Sequence, residues 1–414
     1  MTARTTSARP NAVQTIALCF LVAVVEGYDL QVLSAAGPLL RGPLHLDHQQ
    51  LGVILGAGLI GLGIGAALGG YVADRVGRKR VIVLAALAMG LFTFATALAS
   101  DYPTLFVGRF LTGLAIGGAM PNTIVMVEAM ADRRRAAGLV TLMMCGIPAG
   151  GIVAALVSQG LAVHLGWRGL FVFGGAFSLL VAACAQLALA DQKPTPIREH
   201  STHSGAAVLF GEGRTLVTLL LWALSMLSLA VVALLAGWLP TLVVDKGLPA
   251  SAGFSTLLAW NVGGVFGVIL VGRLCDSLGP RNALLLAYLA MGALFVLFAK
   301  ASTASTFVVF AAVVNFFVAG SHYTVFGLSP RLYPADGAGT GVGATLAAGR
   351  VGSVLGPIVA GAFLHAGSTG SQVILGLVPI ALVCALCVLG LVVASRGKLD
   401  RLGSDTAALP AANT

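Results

Sequence analysis

The stretch GGYVADRVGRKR, Gly69 to Arg80, lies between two apolar runs, and a second copy, GRLCDSLGPR, stands at Gly272 to Arg281. Gly70, Asp74, Gly77 and Lys79 recur as Gly272, Asp276, Gly279 and Arg281, each partner 202 residues on. Pro38 and Pro240 share that offset. A chain that echoes itself at this distance is built from two halves of like design. Parallel repeats of apolar spans bring a site to the interface between the halves, near mid-membrane.

Around the two copies the chain reads as twelve apolar segments: 14–40, 49–72, 80–99, 103–129, 136–162, 169–190, 215–243, 252–274, 281–299, 304–329, 338–364 and 372–394. About 20 apolar residues cross roughly 30 Å of hydrocarbon as a helix. These runs are too long and too uniformly apolar for barrel strands. The longest polar stretch, DQKPTPIREHSTHSGAAVLFGEGR at 191–214, reads as a linker. The expected architecture is all-α and integral to the membrane, with twelve transmembrane helices in two six-helix bundles, 14–190 and 215–394, and polar tails at 1–13 and 395–414.

Composition agrees. Of 414 residues, 58% are hydrophobic and only 9% charged, where a soluble domain carries about 25% charged. The net charge of +9 does not call for nucleic acid, because basic residues collect in cytoplasmic loops. With both termini inside, eighteen basic residues face inward and only Arg41, Arg168, Lys246 and Lys300 face outward. Arg109 and Arg350 remain within spans. The N-terminus reads as a short polar tail before a full span, without a cleavable signal peptide. The six cysteines (Cys19, Cys145, Cys184, Cys275, Cys384 and Cys387) show no metal-ligand spacing and are expected to be small buried apolar residues. No GxxxxGK[ST] run suggests use of ATP, and no HExxH or nucleophile elbow suggests an intramembrane enzyme. No cofactor or metal is expected.

The first span, ALCFLVAVVEGYDLQVLSAAGPLL, carries Glu26 and Asp29 in its middle. Carboxylates at membrane depth are costly and face a cavity where they have work to do. Three residues apart, the two share a helix face. Such a pair can hardly ionise twice in a low dielectric, which is how a proton carrier behaves.

The Gly69–Arg80 stretch resembles the cytoplasmic loop signature of the major facilitator superfamily. The twelve spans, the six-plus-six division and the second loop copy extend that resemblance over the whole chain. LCFLVAVVEGYDLQ, GRFLTGLAIGGAMPN (Gly108 to Asn122) and GTGVGATLAAGRVGSVLGP (Gly339 to Pro357) resemble the aromatic acid:proton symporter family within it. Most members carry Asp-Gly-x-Asp in the first span. Glu26 in place of the first aspartate is similar to the 3-(3-hydroxyphenyl)propionate transporter branch. Members usually have an arginine at the start of span 11, where this chain has Ala338. What replaces it at the inner gate is open, with Arg331 a candidate.

The resemblance implies roles residue by residue. Glu26 and Asp29 would couple protons. Arg109 maps onto the arginine of span 4, about 9 Å deep against about 16 Å for Asp29, so an ion pair between them is expected, or else a snorkelling arginine. Arg350 lies roughly 18 Å into span 11, level with Glu26. Its planar fork can hold a carboxylate bidentately and keeps its proton, so it is a candidate substrate receptor or, alternatively, half of a gate salt bridge. His322 in span 10 is a candidate proton relay or neutral hydrogen-bonding group, and Asn122 a candidate substrate contact. Gly70, Asp74, Arg75, Gly77, Arg78, Asp276 and Arg281 form the loop motifs. Glu128, beside Asp132 and Arg133 to Arg135, is expected to join an inner gate network rather than a plain solvated helix end. Trp238, Trp260, Phe254, Tyr28, Phe110, Phe317, Tyr323 and Phe326 are candidates for stacking on a ring, and Trp167 and Trp222 for interfacial belts.

The sequence therefore points to proton-coupled uptake of a small aromatic carboxylate by alternating access in a bacterial-type inner membrane, by a monomer with both termini cytoplasmic. Its partners are the acid, the proton and the bilayer. A proton-driven exporter is the first alternative, although CGIPAGG at 145–151 lacks an antiporter pattern. A non-transporting sensor on the same scaffold is the second.

Overall fold

The computed structural model describes residues 12–130, 136–189, 205–334 and 337–395. The described residues form helices and contain no strand. In the first half α1 (Ala12–Leu40), α2 (His48–Val76), α3 (Arg78–Ala97) and α4 (Tyr102–Met130) precede α5 (Ala136–Met144) and α6 (Gly146–Ala188). A short α7 (Gly205–Phe210) leads to α8 (Thr215–Asp245), α9 (Ala250–Leu278), α10 (Pro280–Ala299) and α11 (Ala304–Leu328). Then follow α12 (Ala338–His365), α13 (Gly370–Leu375) and α14 (Leu377–Ala394).

Among the described residues, eleven segments are long and apolar enough to cross a membrane, and one of them, Gly138–Ala188, has 51 residues. At 1.5 Å per residue it would be more than twice as long as a bilayer core is thick. Gly166 breaks it, with φ 59 and ψ −163, a backbone that glycine adopts without strain. Two spans result, on either side of the gap expected between 162 and 169, and the total is twelve.

Several helices begin with local signals. Asp47 and Gln50 cap α2 reciprocally, and Thr303 and Thr306 do the same for α11. The two echoed loops fold alike: Gly77, between α2 and α3, has φ 95, and Gly279, between α9 and α10, has φ 78. The repeat in sequence is thus a repeat of one tight turn.

Two six-helix bundles result. In the first, α1 packs on α6 and α2 on α4; in the second, α9 packs on α11 and α8 on α12. The halves meet along α2 and α12, α6 and α9, and α1 and α8. Leu68, Leu180, Leu187 and Val393 are exposed on the bundle surface, a coat suited to lipid.

The loop signature has one glycine at a close helix contact, and two expectations, on Cys184 and Trp167, need correction. The glycine at the close approach is Gly69, where a Cβ would lie 2.6 Å from Gly118 Cα; a Cβ on Gly70 would meet nothing within 4 Å. Cys184 is exposed, unlike the buried Cys19, Cys275, Cys384 and Cys387. Trp167 is 5% exposed and packs edge-on to Phe171, so it belongs to the core and not to an interfacial belt.

Candidate functional site

Glu26 sits at the midpoint of α1 and is 1% exposed, with no hydrogen-bond partner for Oε1. Arg350, in the middle of α12, lies close enough to Glu26 to couple electrostatically, with no contact of 4.0 Å or less between them among the ion pairs of the described residues. The one hydrogen bond recorded from the Arg350 guanidinium runs from Nη2 to the Met120 sulfur of α4, at 3.7 Å. A thioether is a weak acceptor, so a guanidinium at mid-membrane retains most of its donors. His322 on α11 is buried, with Nδ1 unpartnered, and it too feels the Arg350 charge. Its ring stands edge-on to Tyr323, centroids 5.5 Å apart, and Tyr323 is 43% exposed. One half thus supplies Glu26 and Met120, the other Arg350, His322 and Tyr323.

Asp29 faces the other way, into the first bundle. Thr93 Oγ1 of α3 donates to its Oδ1 at 2.8 Å, and Ser178 Oγ of α6 to its Oδ2 at 3.4 Å. Arg109 is 3% exposed, so it does not snorkel. The expected contact between the two is present in altered form. Nη2 of Arg109 donates to the backbone carbonyl of Asp29 at 2.6 Å, and no direct ion pair is recorded between the side chains. The guanidinium also lies over Phe171, 5.7 Å from the ring centroid, while Nε and Nη1 stay unpartnered.

Asn122 donates from Nδ2 to the carbonyls of Gly69, at 3.2 Å, and Gly118, at 2.8 Å. Its amide N–H groups therefore tie α4 to α2 at the point where Gly69 meets Gly118. Asp74 pairs with Arg78 at 3.9 Å, and Arg75 stacks over Tyr71 at 3.8 Å. Gly70 and Gly77 flank that pair; Asp276 and Arg281 are exposed at the matching turn of the second half. Glu128 is exposed near the end of α4, and the partners expected for it, Asp132 and Arg133 to Arg135, lie outside the described residues. Of the candidate ring-stacking residues, Tyr28 donates to the Leu170 carbonyl at 2.8 Å and Trp238 to the Pro357 carbonyl at 3.0 Å. Both are fully buried in packing.

The sequence reading missed the bonds that join the halves. Arg41 Nη1 donates to Asp245 at 2.8 Å, His48 Nε2 meets the same carboxylate at 3.0 Å, and His365 lies 3.6 Å from Asp47. Deeper along α1, Ser34 donates to the Ala236 carbonyl at 2.6 Å. Gln31 and Asn261 exchange two hydrogen bonds, each 2.7 Å. All lie from mid-membrane to the end where α1 and α8 finish and α2 begins. These bonds hold the halves together at that end, the sealed end of the molecule. Towards the opposite end, the end of the Gly77 turn, the Arg350–Met120 contact reaches across the halves.

The family description "Major Facilitator Superfamily" matches residues 19–357 and 257–410. The chain belongs to this superfamily of membrane transporters and, within it, to the relatives of the aromatic acid transporters, so it is a carrier and not an enzyme. It is 35% identical to the 3-(3-hydroxy-phenyl)propionate transporter of Escherichia coli, covering 94% of this chain and 96% of that one. It is 32% identical to the gallate transporter of Pseudomonas putida, over 85% of each chain, and 31% identical to a 4-hydroxybenzoate transporter of Pseudomonas aeruginosa, over 92% of each. In fold it is similar to a nucleoside transporter, with a TM-score of 0.78 at 16% identity over 92% of this chain and 99% of that one. It is also similar to a D-xylose–proton symporter, with 0.75 at 17% over 93% and 99%.

Proposed function

We propose that the chain takes up a small aromatic carboxylate, of the hydroxyphenylpropionate or hydroxybenzoate type, together with a proton. The observation that carries this is the nearness across the halves of Glu26, buried with an unpartnered oxygen, and Arg350, a guanidinium held by little but a thioether. A cation with free donors at the centre of the membrane is a receptor for an anion, and Arg fits a carboxylate with two parallel bonds. An acid facing it gives the proton somewhere to travel with the substrate. The names of the relatives supply the aromatic ring.

The basic loops support a reading in which the Gly77 end and both termini face the cytoplasm across an inner membrane, with the sealed end outside. In the outward-open state Glu26 takes a proton from outside and the carboxylate docks on Arg350. Loading leaves no net charge to carry across, and the halves rock about the site. Inside, the substrate leaves and Glu26 releases its proton. Asp29, held by Thr93 and Ser178, is the second acid of the pathway, and His322 stands beside Arg350 as a neutral partner or relay. Asn122 and the Asp74–Arg78 turn keep the first half rigid as it moves. One proton with one monoanion moves no net charge. The pH gradient alone drives it, at about 1.4 kcal/mol per unit.

The test is uptake of labelled 3-(3-hydroxyphenyl)propionate and hydroxybenzoates into proteoliposomes. Acidifying the exterior is expected to raise uptake and a protonophore to abolish accumulation. Uptake indifferent to both would refute coupling, and efflux alone would identify an exporter.

A further inference from the structure

The carboxamides of Gln31 and Asn261 are bonded to each other within the membrane, one from each half. Their setting is closely built. A Cβ on Gly151 of α6 would lie 2.4 Å from both Asn261 Oδ1 and Gln31 Nε2, so a larger residue there would push the two carboxamides aside. Asn261 has used both its N–H groups, on Gln31 Oε1 at 2.7 Å and on the Leu257 carbonyl at 2.9 Å. Gln31 has used one N–H, and each amide oxygen has accepted one bond. One N–H and a lone pair on each oxygen remain. Asn261 is buried, whereas Gln31 is half-buried although it lies in the middle of a helix and bonds across the halves. Because Gln31 bonds Asn261 of the other half, the exposed part of its side chain lies along the seam between the bundles.

Gln31 lies five residues beyond Glu26 on α1, about 7.5 Å nearer the sealed end. Resting on the reading of Arg350 as carboxylate receptor, we propose that Gln31 and Asn261 form the outer wall of the substrate site and recognise a hydroxyl on the ring. An acid lying along the molecular axis, its carboxylate on Arg350, presents the far edge of its ring to this pair. A phenolic hydroxyl there donates to an amide oxygen and accepts the spare Gln31 N–H. An unsubstituted ring leaves those groups facing an apolar edge. A site built to bond a hydroxyl rejects the analogue that lacks it, because its polar groups are then left unpaired. The pair is remade only when the halves close, so the hydroxyl is read at closure.

The experiment is competition between 3-(3-hydroxyphenyl)propionate and 3-phenylpropionate in counterflow, with calorimetric binding to the purified protein as a second readout. Wild type is expected to prefer the hydroxylated acid. Gln31→Ala and Asn261→Ala are expected to reduce that preference about tenfold or more, mainly by weakening the hydroxylated acid. Gln31→Asn and Asn261→Ser, which keep a polar group of smaller reach, serve if the alanine variants do not insert, with the same loss expected. A pair that acts only as a latch changes both acids alike, and an unchanged preference ratio in active variants overturns the proposal. Wild type that binds both acids equally overturns it while leaving the Arg350 reading intact. Wild type that binds neither overturns both.

Discussion

At the scale of single residues, Arg350 is the most exacting test. Arg350→Lys keeps the charge but loses the planar fork, and transport is expected to fall nearly as far as in Arg350→Ala. Full affinity in the lysine variant, measured by substrate binding, would make Arg350 a point charge or gate residue instead. Glu26→Gln keeps the size and polarity of the protonated acid. Exchange of internal for external substrate needs no proton release and is expected to continue, while uphill accumulation fails. Paired counterflow and pH-driven uptake separate the two; accumulation that survives moves the coupling proton to Asp29 or His322. These residues were legible because a charge in an apolar run is a visible anomaly. Gln31, Asn261, Thr93, Ser178 and Met120 were not. Neutral polar or soft residues are ordinary in helices, and their meaning lies in pairings such as Gln31 with Asn261, 230 residues apart in the chain. Asp29 shows the same limit. The family resemblance, with the depths of the two residues, suggested an ion pair with Arg109, but the hydroxyls of Thr93 and Ser178 hold the carboxylate and the arginine takes the backbone carbonyl. Asp29→Asn therefore leaves the Arg109 bond in place. The variant is expected to insert and to stay monodisperse in detergent, with any defect confined to pH-dependent steps. Loss of the folded protein would show that the charge itself holds Arg109.

At the scale of elements, the loop signature separates into parts with different work. Gly77 and Gly279 make the turn, with φ 95 and φ 78, while Gly69 makes the helix contact and Gly70 makes none. Gly69→Ala forces α2 from the Gly118 backbone and strains the Asn122 bonds that span the same contact. It is expected to lower thermal stability by an amount typical of overpacking, about 1–3 kcal/mol. Gly70→Ala is expected to be neutral or slightly stabilising, through better helix propensity. Melting of the two variants in detergent checks the contrast; equal losses would mean that the motif acts through something other than this contact. Element number was readable from apolar length, and the repeat offset gave the pairing of the halves. The Gly166 bend was visible only as a gap between two apolar runs. Its geometry, two helices joined by one residue, needed the backbone.

At the scale of the whole molecule, the sealed end is held by few bonds, and Asp245 collects two of them. Arg41 and His48 come from the first half and reach one carboxylate at the end of α8, with each partner's side chain about a quarter exposed. An isolated exposed ion pair contributes about 0–1 kcal/mol. Two bonds sharing one carboxylate, both broken when the halves part, act on a two-state equilibrium, where about 1.4 kcal/mol is a tenfold change in population. Asp245→Asn removes the charge but keeps a polar group of the same size, so the fold is preserved and only the closed state loses. The expectation is a shift of several-fold towards the form open at this end. Spin labels at Gly42→Cys and Pro249→Cys, on the α1–α2 and α8–α9 connections, report the separation of the halves once the exposed Cys184 is replaced. The longer distance is expected to gain population in Asp245→Asn, and Arg41→Ala to shift it in the same direction. In the double variant the two effects should fall short of additive, since each removes the same bond. If the distance distribution is the same in all of them, the seal is carried by the deeper contacts at Ser34 and Gln31. The ionic cluster would then be a consequence of closure and not one of its causes.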